Sequence, residues 1–142
     1  MSHIARNITA LARCCFQFRN EQLEPHGLKG PHASTLLAVC NHPGISQDAL
    51  AQRIFLNKSN VARQVAVLEE SGLLERRPDP ADKRAVQMYP TEQGLALKPL
   101  IRSVFGEWER QLTQGLSEEE IETLTALLTR MKENAMIWME EM

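Results

Sequence analysis

From Gly72 to Thr91 the chain drops the helical spacing of apolar residues that it keeps almost everywhere else, and this interruption limits the folds open to it. Leu73–Arg77 and Ala85–Tyr89 read as two short strands, with Val86 and Met88 on one face. Between them lies Pro78-Asp79-Pro80-Ala81-Asp82-Lys83-Arg84, too long for a tight hairpin turn. Fixed proline φ angles and aspartates that bond the local backbone stiffen it. Arg76, Arg77, Lys83 and Arg84 make the stretch basic, although the whole chain carries a net charge of -2. Two strands that display a rigid cationic loop form a wing.

The remainder reads as helices. Ile4, Ile8, Leu11, Cys15 and Phe18 trace one apolar stripe, which ends near Glu24-Pro25-His26-Gly27. A second helix is expected over 31–40, with Pro31 in its first turn and Asn41-His42-Pro43-Gly44 as its stop. Ser46 caps a short helix through Ile54, with Leu50 and Ile54 inward. Asn57 caps the next, from Lys58 to about Ser71, and Gly72 ends it. Thr91 caps a long helix with stripe Ile101, Val104, Trp108 and Leu112, in which Pro99 predicts a bend or a slip in the hydrogen bonding. Ser117 and Glu120 form a capping box for a last helix whose stripe runs from Ile121 to Met139.

With 142 residues the chain is long enough for one domain and a proper core. It has no apolar run long enough for a membrane span, and its N-terminus lacks a secretory pattern. Three cysteines, two of them adjacent, make no disulfide framework and point to a reducing cytoplasm. Charge is unevenly spread. Residues 92–142 hold five basic and ten acidic side chains, whereas residues 1–45 hold four and two. A polyanion would therefore meet the earlier part of the chain.

The helix at 57–71 is unusual on its outer side. Val61, Val65 and Leu68 form its buried stripe, which leaves Ser59, Arg63 and Ala66 opposite, and Asn60 and Val67 on a flank. Lys58 and Gln64 sit toward the buried side in this register. Solvated helix faces usually carry Glu and Lys four apart. Here the acids, Glu69 and Glu70, wait until the end.

At "LLERRPDPADKRAVQMYPTEQG" the chain resembles the multiple-antibiotic-resistance regulator (MarR) family of bacterial winged-helix transcription regulators. The family's wing signature, Asp-x-Arg followed by a Leu-Thr-type pair and a helix, is met by Asp82, Arg84 and Pro90-Thr91, with proline in place of the usual leucine. "LEESGLLERRPDP" matches the helix end and strand before it, and the resemblance covers essentially the whole chain.

The resemblance implies a mainly α fold with a small two- or three-stranded antiparallel wing. Residues 30–91 would form the winged helix-turn-helix and 91–113 a connecting helix, with 1–25 and 110–142 as dimerisation helices. A homodimer would bind a pseudo-palindromic double-stranded DNA operator, with the helix at 57–71 in the major groove and Arg84, held by Asp82, in the minor groove. Arginine suits a narrow, electronegative minor groove, and Lys83 and Arg77 would position the wing on phosphates. Asn57, Lys58, Ser59, Asn60, Arg63 and Gln64 are the other candidate contacts, Arg63 with guanine as its natural partner. Ser46 is either a phosphate contact or a plain cap.

Family members also take small phenolic or lipophilic effectors, for which Phe16, Arg19, His32, Val39 and Cys40 are the candidate pocket. A repressor released by an effector is the leading expectation. The alternatives are a winged-helix protein-interaction module, which needs neither the Ser/Asn/Arg face nor Arg84, and a redox-responsive regulator using Cys14, Cys15 or Cys40. His26, His32, Cys40 and His42 lack metal-ligand spacing. No cofactor and no catalytic set is expected.

Overall fold

The computed structural model describes residues 3–82 and 84–140. Among the described residues, six helices and a three-stranded sheet follow one another: α1 (Ile4–Leu23), α2 (Ala33–Asn41), β1 (Ile45–Ser46), α3 (Gln47–Ile54), α4 (Lys58–Glu70), β2 (Leu74–Pro78), β3 (Val86–Pro90), α5 (Glu92–Leu112) and α6 (Glu118–Glu140). Single 3-10 turns at Glu24–His26 and Gly30–His32 carry the chain from α1 to α2. This is the mainly α, winged helix-turn-helix fold expected from the sequence.

Local chemistry sets the helix starts. Ser46 Oγ accepts from the Ala49 amide at 3.1 Å, and Asn57 Oδ1 accepts from the Asn60 amide at 2.8 Å. Thr91 Oγ1 accepts from Gly94 at 3.1 Å and donates to the Gly72 carbonyl, fastening the start of α5 to the end of α4. Ser117 and Glu120 bond each other's backbone reciprocally, at 3.1 and 2.8 Å. Apart from the Thr91–Gly72 bond, each of these satisfies a backbone amide at a helix start that lacks an internal partner. Gly72, at φ +77°, adopts the left-handed geometry that lets the chain leave α4 for β2. Pro99 lies inside α5, which continues through it from Glu92 to Leu112.

The sheet is antiparallel in the order β1-β3-β2, with Arg76 opposite Met88 and Ile45 also paired to Met88. The hairpin of β2 and β3 matches the two strands read from the sequence. The two-residue β1 is the third strand that the family resemblance allowed, at a place where the residue pattern itself suggested only a cap at Ser46. It forms because Gly44, at φ +89°, turns the chain and donates its amide to Met88 O at 2.8 Å.

The chain divides into two compact units, the first ending at Trp108 and the second starting at Glu109. In the first, Leu23, Leu36, Leu50, Val61, Met88 and Ile101 are among the fully buried side chains of one core. Each contributes about 1.5–3 kcal/mol through removal of apolar surface from water. Gly94 is pressed against this core, so that a Cβ added to it would lie 2.0 Å from the Leu73 carbonyl oxygen.

The outward stripe of α1 stays in the open, with Ile4, Ile8 and Leu11 each 43% or more exposed. In the second unit, α6 leaves Leu124, Leu127, Leu128, Met131, Ile137, Trp138 and Met139 between 36% and 61% exposed. Among the described residues no helix is long and apolar enough to cross a membrane.

Candidate nucleic-acid interface and the cavity beside it

The helix-turn-helix formed by α3 and α4 fixes which side chains face out. Val61, Val65 and Leu68 bury one side of α4, so Ser59, Arg63 and Ala66 are exposed and Asn60 and Val67 lie half-buried on a flank. Arg63 Nη2 donates to Asn60 Oδ1, one turn back along the helix. The face is free of acid until Glu69.

Two side chains depart from the expected register. Lys58 is exposed rather than core-leaning, because in the first turn it can swing to Asp48 on α3, 3.5 Å away. Gln64 does lean inward and has a structural partner, since the hydroxyl of buried Thr35 donates to its Oε1 and ties α2 to α4. Leaving that hydroxyl unpaired in the core would cost about 1–3 kcal/mol.

The wing orders itself through backbone bonds. Asp79 Oδ1 accepts from Ala81 at 2.8 Å, and the Asp79 amide donates to Ala85 O at 3.0 Å across the loop. Asp82 Oδ1 accepts the backbone amide of Arg84 at 3.0 Å. The expected Asp–Arg pair is therefore an Asx-type turn, with the Asp82 carboxylate on the Arg84 backbone and no ion pair between the two side chains. The Arg84 side chain is exposed and enters no ion pair among the described residues.

Its basic neighbours are already engaged. Arg76 donates to Glu69 through Nη2 at 2.9 Å and through Nε and its backbone amide at 3.3 Å each. That contact holds the Glu69 carboxyl below its ordinary pKa, chiefly through the side-chain hydrogen bond. Arg77, a candidate phosphate contact, pairs with Glu75 and lies over the Tyr89 ring, 4.2 Å from its centroid. Lys83 lies outside the described residues.

Beside α4 opens a cavity of about 470 Å³. Of the five pocket candidates, Phe16, Arg19 and His32 line it, together with Thr35, Ile54 and Leu56. Asn60, Arg63 and Gln64 of α4 form another part of its wall. Val39 and Cys40 do not line it. Both are core residues, 0% and 5% exposed, because α2 is buried on nearly every side and its period cannot single out a cavity face.

Arg19 is held in an apolar setting, with its guanidinium 3.9 Å above the Phe105 ring and Nη1 donating to Ser34 Oγ at 3.3 Å. Its Nε is buried without a partner. Burial lowers its pKa, with Cys15 opposing. Burial, and then Lys29, also pushes the His32 pKa down, which favours the neutral ring.

Cys40 is a core thiol whose pKa burial pushes up against the influence of Lys98, so it stays protonated and unreactive. Cys14 is exposed and Cys15 half-buried, and no disulfide is formed among the described residues. No three His, Cys, Asp or Glu side chains of the described residues gather as a metal site.

Known proteins share this architecture. The MarR family model matches residues 26–85, from the turn before α2 through the wing loop. The HTH-type transcriptional regulator YybA of Bacillus subtilis is 32% identical over 135 residues, covering 94% of this chain and 89% of the relative. The crystal structure of the transcriptional regulator SlyA superposes with a TM-score of 0.91 at 32% identity, over 94% of both chains. A MarR family transcriptional regulator from Listeria monocytogenes, crystallised with a 26mer DNA, superposes with a TM-score of 0.89 at 28% identity, over 94% of this chain and 89% of that one. Similarity of this extent, carried by the helix-turn-helix and wing just described, establishes that the chain belongs to the MarR family of transcriptional regulators.

Proposed function

We propose that the protein is a homodimeric repressor, acting in the cytoplasm, that binds a pseudo-palindromic operator and releases it when a small molecule binds. The observation that carries this reading is the outer face of α4, where Ser59 and Arg63 are exposed beside Asn60 and the first acid is Glu69. A capped, acid-free, hydrogen-bonding helix face suits the major groove, whose base edges offer distinct donor and acceptor patterns. The DNA bound by the Listeria relative supports the same assignment.

In this reading Arg63 and Asn60 reach base edges, Ser59, Lys58 and the amides capped by Asn57 and Ser46 lie near phosphates, and Arg84 enters the minor groove. Residues 30–91 form the DNA-binding module, with 91–113 as connector. Residues 1–25 and 110–142 supply the dimer interface, and their uncovered apolar stripes support that role. Two-fold symmetry then places half-sites about one helical turn apart.

Fluorescence anisotropy on a duplex from the protein's own upstream region tests the reading. Arg63→Ala is expected to lose about 1–3 kcal/mol of discrimination at one symmetric base position. Arg84→Ala is expected to weaken binding while fold and dimer persist. Unchanged affinity and selectivity in both variants would remove the DNA-reading assignment.

A further inference from the structure

The side-chain carbonyls of α4 and its cap are all taken by the protein's own donors. Asn57 Oδ1 accepts the Asn60 amide at 2.8 Å, Asn60 Oδ1 accepts from Arg63 Nη2, and Gln64 Oε1 accepts from the Thr35 hydroxyl. What the face turns outward is N–H. Arg63 carries donors only. The side-chain nitrogens of half-buried Asn60 and Gln64 have no partner among the described residues, and neither atom is buried. Ser59, exposed in the first turn, keeps a hydroxyl that both gives and takes.

Thr35 decides the matter for Gln64. Among the described residues it is the one buried polar side chain, 1% exposed, on the same helix as buried Ala33, Leu36 and Val39. A hydroxyl in such a place is costly unless it is bonded, and its bond goes to Gln64. The oxygen and nitrogen of an amide share one planar carbon, so drawing Oε1 toward α2 turns Nε2 away from it. A free glutamine reads adenine with both atoms, taking the N6 amino proton and giving to N7. With its oxygen held inward it can only give. Guanine is the base whose major-groove edge offers two adjacent acceptors, O6 and N7.

We propose that Thr35 is a specificity-determining residue: by holding the Gln64 carbonyl inward it makes Gln64 a pure donor that selects guanine and refuses adenine. This rests on the major-groove reading above and adds the base that one position of the face takes. Thr35 touches no DNA and acts through Gln64, so it is a positioning residue. Its loss should change which base is preferred, which a purely structural hydroxyl would not do.

The experiment selects binding sites for the full chain from a randomised duplex pool, then measures single-base variants of the selected half-site by anisotropy. Thr35→Val exchanges the hydroxyl for a methyl of the same shape and frees Gln64 Oε1. At one symmetric position the ratio of guanine to adenine affinity is expected to fall at least about fivefold. Thr35→Ser keeps the hydroxyl and should keep the parent's guanine. Gln64→Glu leaves one oxygen for Thr35 and turns the other outward, so guanine at that same position should give way to a base with an amino edge, cytosine or adenine. Its added charge lowers affinity for every sequence, but the preference is a ratio and survives that.

A parent that selects no recurrent sequence would overturn the major-groove reading, and the role of Thr35 with it. A parent that selects a clear half-site, while Thr35→Val, folded by circular dichroism, selects the same one, would leave that reading standing and overturn the role of Thr35 alone. Should Thr35→Val not fold, Gln64→Glu decides: an exchange of guanine for an amino-edged base supports the inward carbonyl, and an unchanged half-site overturns it. Adenine in the parent's site at the position that Gln64→Glu alters would overturn it as well.

Discussion

Gly94 shows how one residue position can invert a general rule. Inside a helix, Gly→Ala ordinarily gains close to 1 kcal/mol. At Gly94 the added carbon would meet the Leu73 carbonyl oxygen at 2.0 Å, and that oxygen also accepts the Thr91 amide at 3.1 Å. Gly94→Ala is therefore expected to destabilise by about 1–3 kcal/mol, as overpacking against backbone does, read from the urea midpoint at constant slope. His32 gives a pH dependence whose sign follows from its depressed pKa. The unfolded chain takes up a proton near the ordinary histidine value of 6.5 while the folded chain still resists, so stability from this group is present above that value and lost as pH falls through and below it. Comparing urea midpoints at pH 7.5 and 5.5 should show a smaller acid loss in His32→Gln than in the parent; an equal loss would assign the titration elsewhere. The candidate site was only partly legible at this scale. Register along α4 correctly put Ser59, Arg63 and Ala66 outside, because helical geometry alone decides that. Partner choice was not legible. Nothing in the spacing says that Asp82 takes the backbone of Arg84, that Arg77 finds Glu75 and Tyr89, or that Val39 and Cys40 vanish into the core.

Elements were easier to read than contacts, for a physical reason. A cap is a bond between residues two or three apart, so Ser46, Asn57, Thr91 and Ser117 announced four helix starts without any tertiary information. The hairpin was visible because its strands flank a proline-stiffened loop. The third strand was not, since β1 is only Ile45–Ser46, and two residues carry no period. What the sequence could not hint at is the strut between elements formed by Glu69 of α4 and Arg76 of β2. Both side chains are more than a third exposed, so the pair contributes little to stability, about 0.2–1 kcal/mol at most. Its larger effect is to engage Arg76, as Glu75 and Tyr89 engage Arg77, leaving Arg84 as the described wing cation with no ion pair. The salt dependence of operator binding can test that division. Arg84→Ala is expected to reduce the slope of log affinity against log salt by about 1 for each wing, whereas Arg76→Ala should leave it nearly unchanged. Equal slope changes would mean that Arg76 leaves Glu69 for phosphate on the operator.

For the whole molecule, the governing fact is apolar surface that the chain does not cover itself. Ile4, Ile8 and Leu11 of α1 and Leu124, Leu127, Leu128, Met131, Trp138 and Met139 of α6 are all at least 36% exposed. Exposed runs this long on two helices are a liability in a monomer, and a second copy is the simplest cover for them. Stable dimers of this sort bury about 2,000 Å² or more in total, mostly apolar. Charge agrees with that division of labour. Residues 92–142 hold ten acidic against five basic side chains, a balance that disfavours this part, more than the earlier residues, as a surface for a polyanion. Deleting residues 117–142 is therefore expected to give aggregated or unfolded protein rather than a tidy monomer, because the chain would keep the exposed α1 stripe with no second copy to bury it. Operator affinity should also fall further than in Arg63→Ala. One lost arginine removes a contact in each half-site, whereas loss of the dimer turns two tethered half-site contacts into independent ones. Light scattering and anisotropy on the truncated chain decide the matter. A soluble monomer with undiminished operator affinity would overturn the dimer, and with it the two-fold symmetry expected of the operator.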